Sequence, residues 1–353
     1  MAKSVLLIFF LFGLQSSIYA QNGAFLKRQI ERAMSYENRY DSTKSTGLII
    51  GCIDRDSTWF FPFGHISKTN NTPPTAATFF EIGSLTQTFT AANIHFLVRQ
   101  GILSYDSTVN TYLKPEQRFP AGNKITLLNL VTHTSGLPKV PDDWGSIATD
   151  KDQPYVNYTE GGFFDFLKSH DSTDWKQGQF LFSNLNFVLA GCILENKNQD
   201  ELWWQPFVDK SSATFAQGYN LAGQAVAPWE VAEVFQSAVG GCTNLNQLLG
   251  FVQWQLNIDS LDKNKLLLET QQIIYPTKMN KNTFIGKGWQ IYKERKSFPM
   301  CLASGATGGH SVAVIFMPQT KTGVVVFSNG REIKGALAMA ILKVLNNNWK
   351  RKM

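Results

Sequence analysis

Apolar and polar residues recur along this chain with two periods, and the switches between them locate the elements. In residues 22–40, Phe25, Leu26, Ile30, Ala33 and Met34 return at helical spacing among charged residues, which predicts an amphipathic helix. Residues 46–54 (TGLIIGCID) and 57–64 (STWFFPFG) are short apolar runs joined by the charged turn Asp54-Arg55-Asp56, which predicts paired strands. Residues 283–292 (TFIGKGWQIY) predict another strand, and 300–318 with 322–329 predict two strands of a second hairpin. Helices are expected at 186–194, 245–256 and 335–349.

The extreme N-terminus has a different pattern. Lys3 precedes an apolar run over 5–14, and Ser16-Ser17-Ile18-Tyr19-Ala20 ends in a small residue, as a secretory signal does. The run is too short to span a bilayer. Residues 1–20 are therefore expected to be a signal peptide, with 21–353 as the mature domain. That predicts a secreted or periplasmic protein with no transmembrane anchor after processing.

Composition narrows the function classes. With 43% hydrophobic and 17% charged residues the chain is globular, and no stretch is of low complexity. The net charge is +6, yet the only basic cluster is Lys350-Arg351-Lys352 at the end, and no aromatic residues interleave with basic ones. Nucleic acid is thus not an expected partner. Cys52, Cys192, Cys242 and Cys301 read as small buried residues. In an oxidising compartment they could also pair, with three connectivities if all four do. No Cys or His spacing suggests a metal, and no cofactor motif is present.

The candidate chemistry begins at residues 79–92, FFEIGSLTQTFTAA: a short apolar lead-in, a Gly83-Ser84 break, then a helix. An isolated Ser at such a place is usually an N-cap. The surroundings suggest more. The stretch resembles the nucleophile segment of the penicillin-binding-protein and class C β-lactamase family, Ser-x-x-Lys, in which Ser and Lys share a helix face one turn apart. Here the fourth position is Gln87. Residues 125–138 (ITLLNLVTHTSGLP) closely resemble a further segment of that family, which packs under the site, so His133 is expected to be structural. Phe182-Ser183-Asn184 stands on the family's Tyr-x-Asn, with Asn184 kept and Phe182 in the Tyr position. Ala238 to Thr243 resembles a Gly-Gly turn of the family. Residues 300–318 (MCLASGATGGHSVAVIFMP) place Ala303-Ser304-Gly305 on the third motif, Lys-Thr-Gly.

Two literal motif matches are set aside. Lys321-Thr322-Gly323 falls in the turn after Pro318, and Ser260-Leu261-Asp262-Lys263 lies in a charged stretch with no apolar helix behind it. The irregular, aromatic region 140–175 either shapes the cleft, as in the family, or is a surface excursion.

The resemblance covers residues 24–348. It implies an α+β fold: an antiparallel sheet flanked by terminal helices (about 21–80 and 280–353), with a mostly helical lobe (about 81–279) inserted. Acyl transfer needs a nucleophile, a base, a proton shuttle and an oxyanion hole. By resemblance, Ser84 is the nucleophile, and the backbone N–H groups of Ser84 and Ala306 form the oxyanion hole. The base, shuttle and cation positions hold Gln87, Phe182 and Ala303. General acid–base groups are each worth roughly 10²–10⁴ in rate, and losses within one unit do not simply multiply. The resemblance therefore implies a pseudoenzyme that binds a small-molecule or peptide, cell-wall-type ligand. The alternative is a divergent serine acyl hydrolase that activates Ser84 in another way, for instance through His310. The oligomeric state is left open.

Overall fold

The computed structural model describes residues 23–36, 45–169, 176–197, 214–256 and 268–350. The expected signal peptide, the Ser260–Lys263 match and Trp175 lie outside them. The helices are α1 (23–35), α2 (Thr86–Arg99), α3 (Leu127–Val131), α4 (Trp144–Ile147), α5 (Glu160–Ser169), α6 (Asn184–Glu195), α7 (Gln236–Val239), α8 (Leu245–Gln255) and α9 (Gly335–Lys350). The strands are β1 (Gly47–Asp54), β2 (Ser57–Gly64), β3 (Phe79–Glu81), β4 (Gly218–Tyr219), β5 (Ala225–Val226), β6 (Cys242–Asn244), β7 (Tyr275–Pro276), β8 (Thr283–Ile285), β9 (Gln290–Tyr292), β10 (Met300–Ala306), β11 (Ser311–Met317) and β12 (Thr322–Ser328).

Eight strands form one sheet in the order β2-β1-β12-β11-β10-β9-β8-β7. Every pairing in it is antiparallel. Strand period explains why helices cover both of its faces. In β12, Val324 and Val326 point to one core with Leu26 and Ile30 of α1 and Leu337, Ile341 and Leu342 of α9. Val325 and Phe327 point the other way, to Phe89 of α2 and Leu245, Leu249 and Phe251 of α8. Fully burying one such Leu, Val or Phe contributes about 1.5–3 kcal/mol. Gly51 in β1 is where α8 comes closest: a Cβ there would stand 2.7–2.9 Å from Leu245 and Leu249 methyls.

A third core belongs to the helices around α6. All of 184–194 in α6 is buried, as a helix apolar on every side must be. It carries Asn184 at its first residue, so the rigid centre of the helical region positions that amide.

The structure corrects two boundaries. Residues 300–318 are not one strand but β10 and β11, divided by a turn in which Thr307 N–H donates to His310 O (2.9 Å). Gly308-Gly309 permits that turn, and the Thr307 hydroxyl receives the Gly309 and His310 N–H groups. Residues 283–292 likewise form a hairpin of β8 and β9, because Gly286 N–H closes on Trp289 O and Gly288 takes a φ of 87°. Within 125–138 the helix is five residues long, Leu127–Val131. Thr126 and Asn129 cap its start reciprocally, and His133 ends it with a φ of 54°.

Candidate active site

Ser84 sits in a single 3-10 turn, Gly83–Leu85, between β3 and α2. Two neighbours clamp that turn. On one side β3 pairs with β6, and Ile82 N–H donates to Gly241 O (2.9 Å). On the other side β10 presses against it. Gly83 has a φ of 48°, and a Cβ on it would stand 2.5–3.0 Å from the Ala306 backbone. A Cβ on Gly305 would overlap the Ile82 carbonyl oxygen. Only glycine at both positions allows the two backbones to approach this closely.

The Ser84 hydroxyl is not a helix cap. The start of α2 has no side-chain cap, and the Thr86 and Thr88 hydroxyls bond back to Gly83 O and Leu85 O. Among the described residues nothing hydrogen-bonds Ser84 Oγ, and the residue is half-buried. It is therefore open to the cleft.

Two cavities meet at Ser84, Phe182 and Ala306. The sheet-side cavity, 450 Å³, is also lined by Gln87, His133, Ala303, Ser304 and Gly305. The loop-side cavity, 500 Å³, adds Lys139, Lys151, Asp152, Tyr155, Asn184, Trp229 and Arg331. The structure thus gathers the sequence-derived positions Ser84, Gln87, Phe182, Asn184, Ala303, Ser304, Gly305 and Ala306 around one cleft. Phe182 lines both cavities. From the described part of region 140–175, residues 140–169, Trp144, Lys151, Asp152 and Tyr155 line the loop-side cavity.

Hydrogen bonds assign the amides. Gln87, buried at 4% exposure, donates from Nε2 to Asn184 Oδ1 (3.0 Å). Asn184 Nδ2 in turn donates to the Tyr155 hydroxyl (3.2 Å). Burial raises the Tyr155 pKa, so the phenol stays protonated. Sequence reasoning gave Tyr155 no role in the site. The residue falls in the irregular, aromatic region 140–175, and its spacing from Asn184 carries no motif.

His133 is the sole titratable side chain lining the sheet-side cavity. Its Nδ1 accepts the Ser183 N–H (3.1 Å), its carbonyl accepts the Leu181 N–H (2.8 Å), and its ring packs on Phe182 and Phe187. It holds the Phe182–Asn184 segment in place. Burial pushes its pKa down to about 3, so the ring is neutral at ordinary pH.

His310, the alternative activating group, is committed elsewhere. Nδ1 faces Glu81 Oε2 at 3.2 Å and Nε2 lies 3.0 Å from Ala216 O. It lines neither cavity that holds Ser84. The Glu81 carboxylate, three residues before Ser84, also accepts from the Thr307 hydroxyl and the Trp229 N–H, each at 2.7 Å. This buried cluster ties β3, the β10–β11 turn and the loop carrying Trp229 together behind the site.

Lys321 lies exposed in the β11–β12 turn. Ala306 pairs with Ser311 at the other end of β11, so seven residues of strand, about 20 Å, separate that turn from the cleft. All four cysteines are buried. No helix among the described residues is long and apolar enough to cross a membrane.

Comparison with known proteins gives the same outline. A family model described as Beta-lactamase matches residues 28–345. A "Beta-lactamase" of Providencia stuartii is 40% identical over 317 residues, covering 76% of this chain and 78% of that protein. The Escherichia coli (strain K12) "D-alanyl-D-alanine-carboxypeptidase/endopeptidase AmpH" is 34% identical over 308 residues, covering 80% of this chain and 79% of that protein. Among solved structures, a "Beta-Lactamase/D-Alanine Carboxypeptidase from Pseudomonas syringae" superposes with a TM-score of 0.74 at 20% identity, over 91% of this chain and 98% of that one.

Proposed function

Because the chain belongs to the β-lactamase family, we propose that it keeps the family's cleft as a binding site and has lost the family's acyl transfer. The observation that carries this reading is the state of Gln87. Where a base is needed one helical turn from Ser84, there is a buried carboxamide whose N–H is donated to Asn184. An amide does not take a proton from a serine near neutral pH. His133, the titratable ring that lines the sheet-side cavity with Ser84, is held neutral with Nδ1 already accepting a hydrogen bond.

The other losses act in the same direction. Phe182 has no hydroxyl to protonate a leaving group, and Ala303 offers no cation to a ligand carboxylate. What persists is backbone: the Gly83-Ser84 turn against Ala306, where two N–H groups can receive a ligand carbonyl. The relatives' names point to β-lactams and D-alanyl peptides as the ligand type. Export follows from the pattern of residues 1–20, and N-terminal sequencing of the exported protein should begin near Gln21.

The half-buried, uncommitted Ser84 hydroxyl keeps a divergent acyl hydrolase as the competing reading. An active-site-directed fluorophosphonate separates the two. Under the binding reading the natural protein remains unlabelled, as does its Ser84→Ala variant. Labelling that vanishes in Ser84→Ala would establish an activated serine.

A further inference from the structure

The hydrogen bonds across the cleft have a direction, and following it leads to the Tyr155 hydroxyl. Gln87 Nε2 donates to Asn184 Oδ1. With its oxygen turned to Gln87, the Asn184 amide must present its nitrogen at the opposite end, and that nitrogen donates to the Tyr155 oxygen. A phenol that accepts there still has its own proton to give. Among the described residues the structure shows no other hydrogen bond to that hydroxyl. Tyr155 as a residue is 9% exposed, so the loop-side cavity is where its hydroxyl can meet a partner.

The residue is also fixed in place. Its ring lies among Trp144, Trp229 and Phe235, each with a centroid 5.1 Å away. Its carbonyl accepts the Ala232 N–H (2.9 Å), and neighbouring Gln153 bonds to Pro228 O and to the Glu230 N–H. The phenol cannot swing away to find a partner. The space beside it is the loop-side cavity, which it shares with Ser84, Asn184 and Ala306.

We propose that Tyr155 determines ligand choice in this cleft: its hydroxyl donates to a second acceptor on an acyl ligand whose carbonyl rests against Ser84 and Ala306. The loop-side wall then supplies the hydroxyl that Phe182 does not. Lys139, Lys151 and Arg331 rim the same cavity, so the ligand class is an acyl compound with a further acceptor atom and an anionic group. The proposal rests on the binding reading above.

The test is isothermal titration of benzylpenicillin into the natural protein and into Tyr155→Phe, with thermal midpoints of both. Tyr155→Phe keeps the ring and its packing. The proposal expects affinity to fall about 5- to 10-fold, as losing one neutral hydrogen bond does, while the midpoint drops only by the few degrees that loss of the Asn184 contact brings. Equal affinity in the two proteins would overturn it. If benzylpenicillin binds neither protein, the binding reading fails for that ligand class, and a high-resolution crystal structure of the free protein decides the role of Tyr155. A cavity water within hydrogen-bond reach of the phenol on the Ser84 side supports the proposal. A protein acceptor taking that proton overturns it.

Discussion

The two cavities on either side of Ser84 share a floor and differ in almost everything else. The sheet-side cavity, where the family places its proton chemistry, has no Lys, Arg, Asp, Glu, Tyr or Cys in its lining, and its one titratable ring is held neutral. The loop-side cavity carries three cations, a carboxylate, a phenol and two amides. Their common floor is backbone: the Gly83-Ser84 turn locked against Gly305-Ala306. The difference separates two kinds of dependence on sequence. A site built from backbone N–H groups survives as long as the turn and the strand keep their glycines. A site built from side-chain acids and bases disappears with a few substitutions, while the fold is untouched.

The largest effect should come from refitting the sheet-side cavity. Gln87→Lys, Phe182→Tyr and Ala303→Lys together should raise nitrophenyl-ester hydrolysis roughly 10²–10⁴-fold over the natural protein, the range of a restored acid–base group. Each single change should stay near background, because the groups act as one unit. Full rescue by Gln87→Lys alone would show that the other two positions do not limit turnover.

The shared floor is tested by Gly305→Ala. The added methyl overlaps Ile82 O and should cost about 3 kcal/mol, read as a lower denaturation midpoint. A neutral result would mean that β10 and the Ser84 turn are not locked together.

A smaller effect tests the neutral ring. His133 titrates near 3 when folded, against an ordinary value of 6.5. Below pH 6.5 the unfolded chain therefore binds a proton that the folded one does not. Stability falls as pH drops from 6.5 towards 3, and about 1.5 kcal/mol of the loss comes between pH 6.5 and 5. His133→Asn, a residue that tolerates the left-handed backbone there, should lack this part of the pH dependence in chemical denaturation. Parallel pH curves for the two proteins would show that the ring is not held neutral.

Much of the fold was readable because it rests on period. The alternation in β1 and β12 and the apolar run of α6 survive any loop change, and each names a buried face. The divided strand at 300–318 was misread because an unbroken run of small and apolar residues hides a Gly308-Gly309 turn. Ser84, Gln87, Asn184 and Ala303 were found as a group because local motifs carry them. Tyr155, Glu81 and His310 have no such signal. They come together only through packing between elements distant in sequence, Glu81 and His310 being 229 residues apart, and no spacing rule reaches that far.

The central claim is that Ser84 has no base. The most direct measurement is hydrolysis of nitrocefin and a nitrophenyl ester by the purified natural protein, run beside its Ser84→Ala variant. The account predicts the same background rate for both. Turnover by the natural protein that disappears in Ser84→Ala would contradict it and make this chain a divergent serine hydrolase.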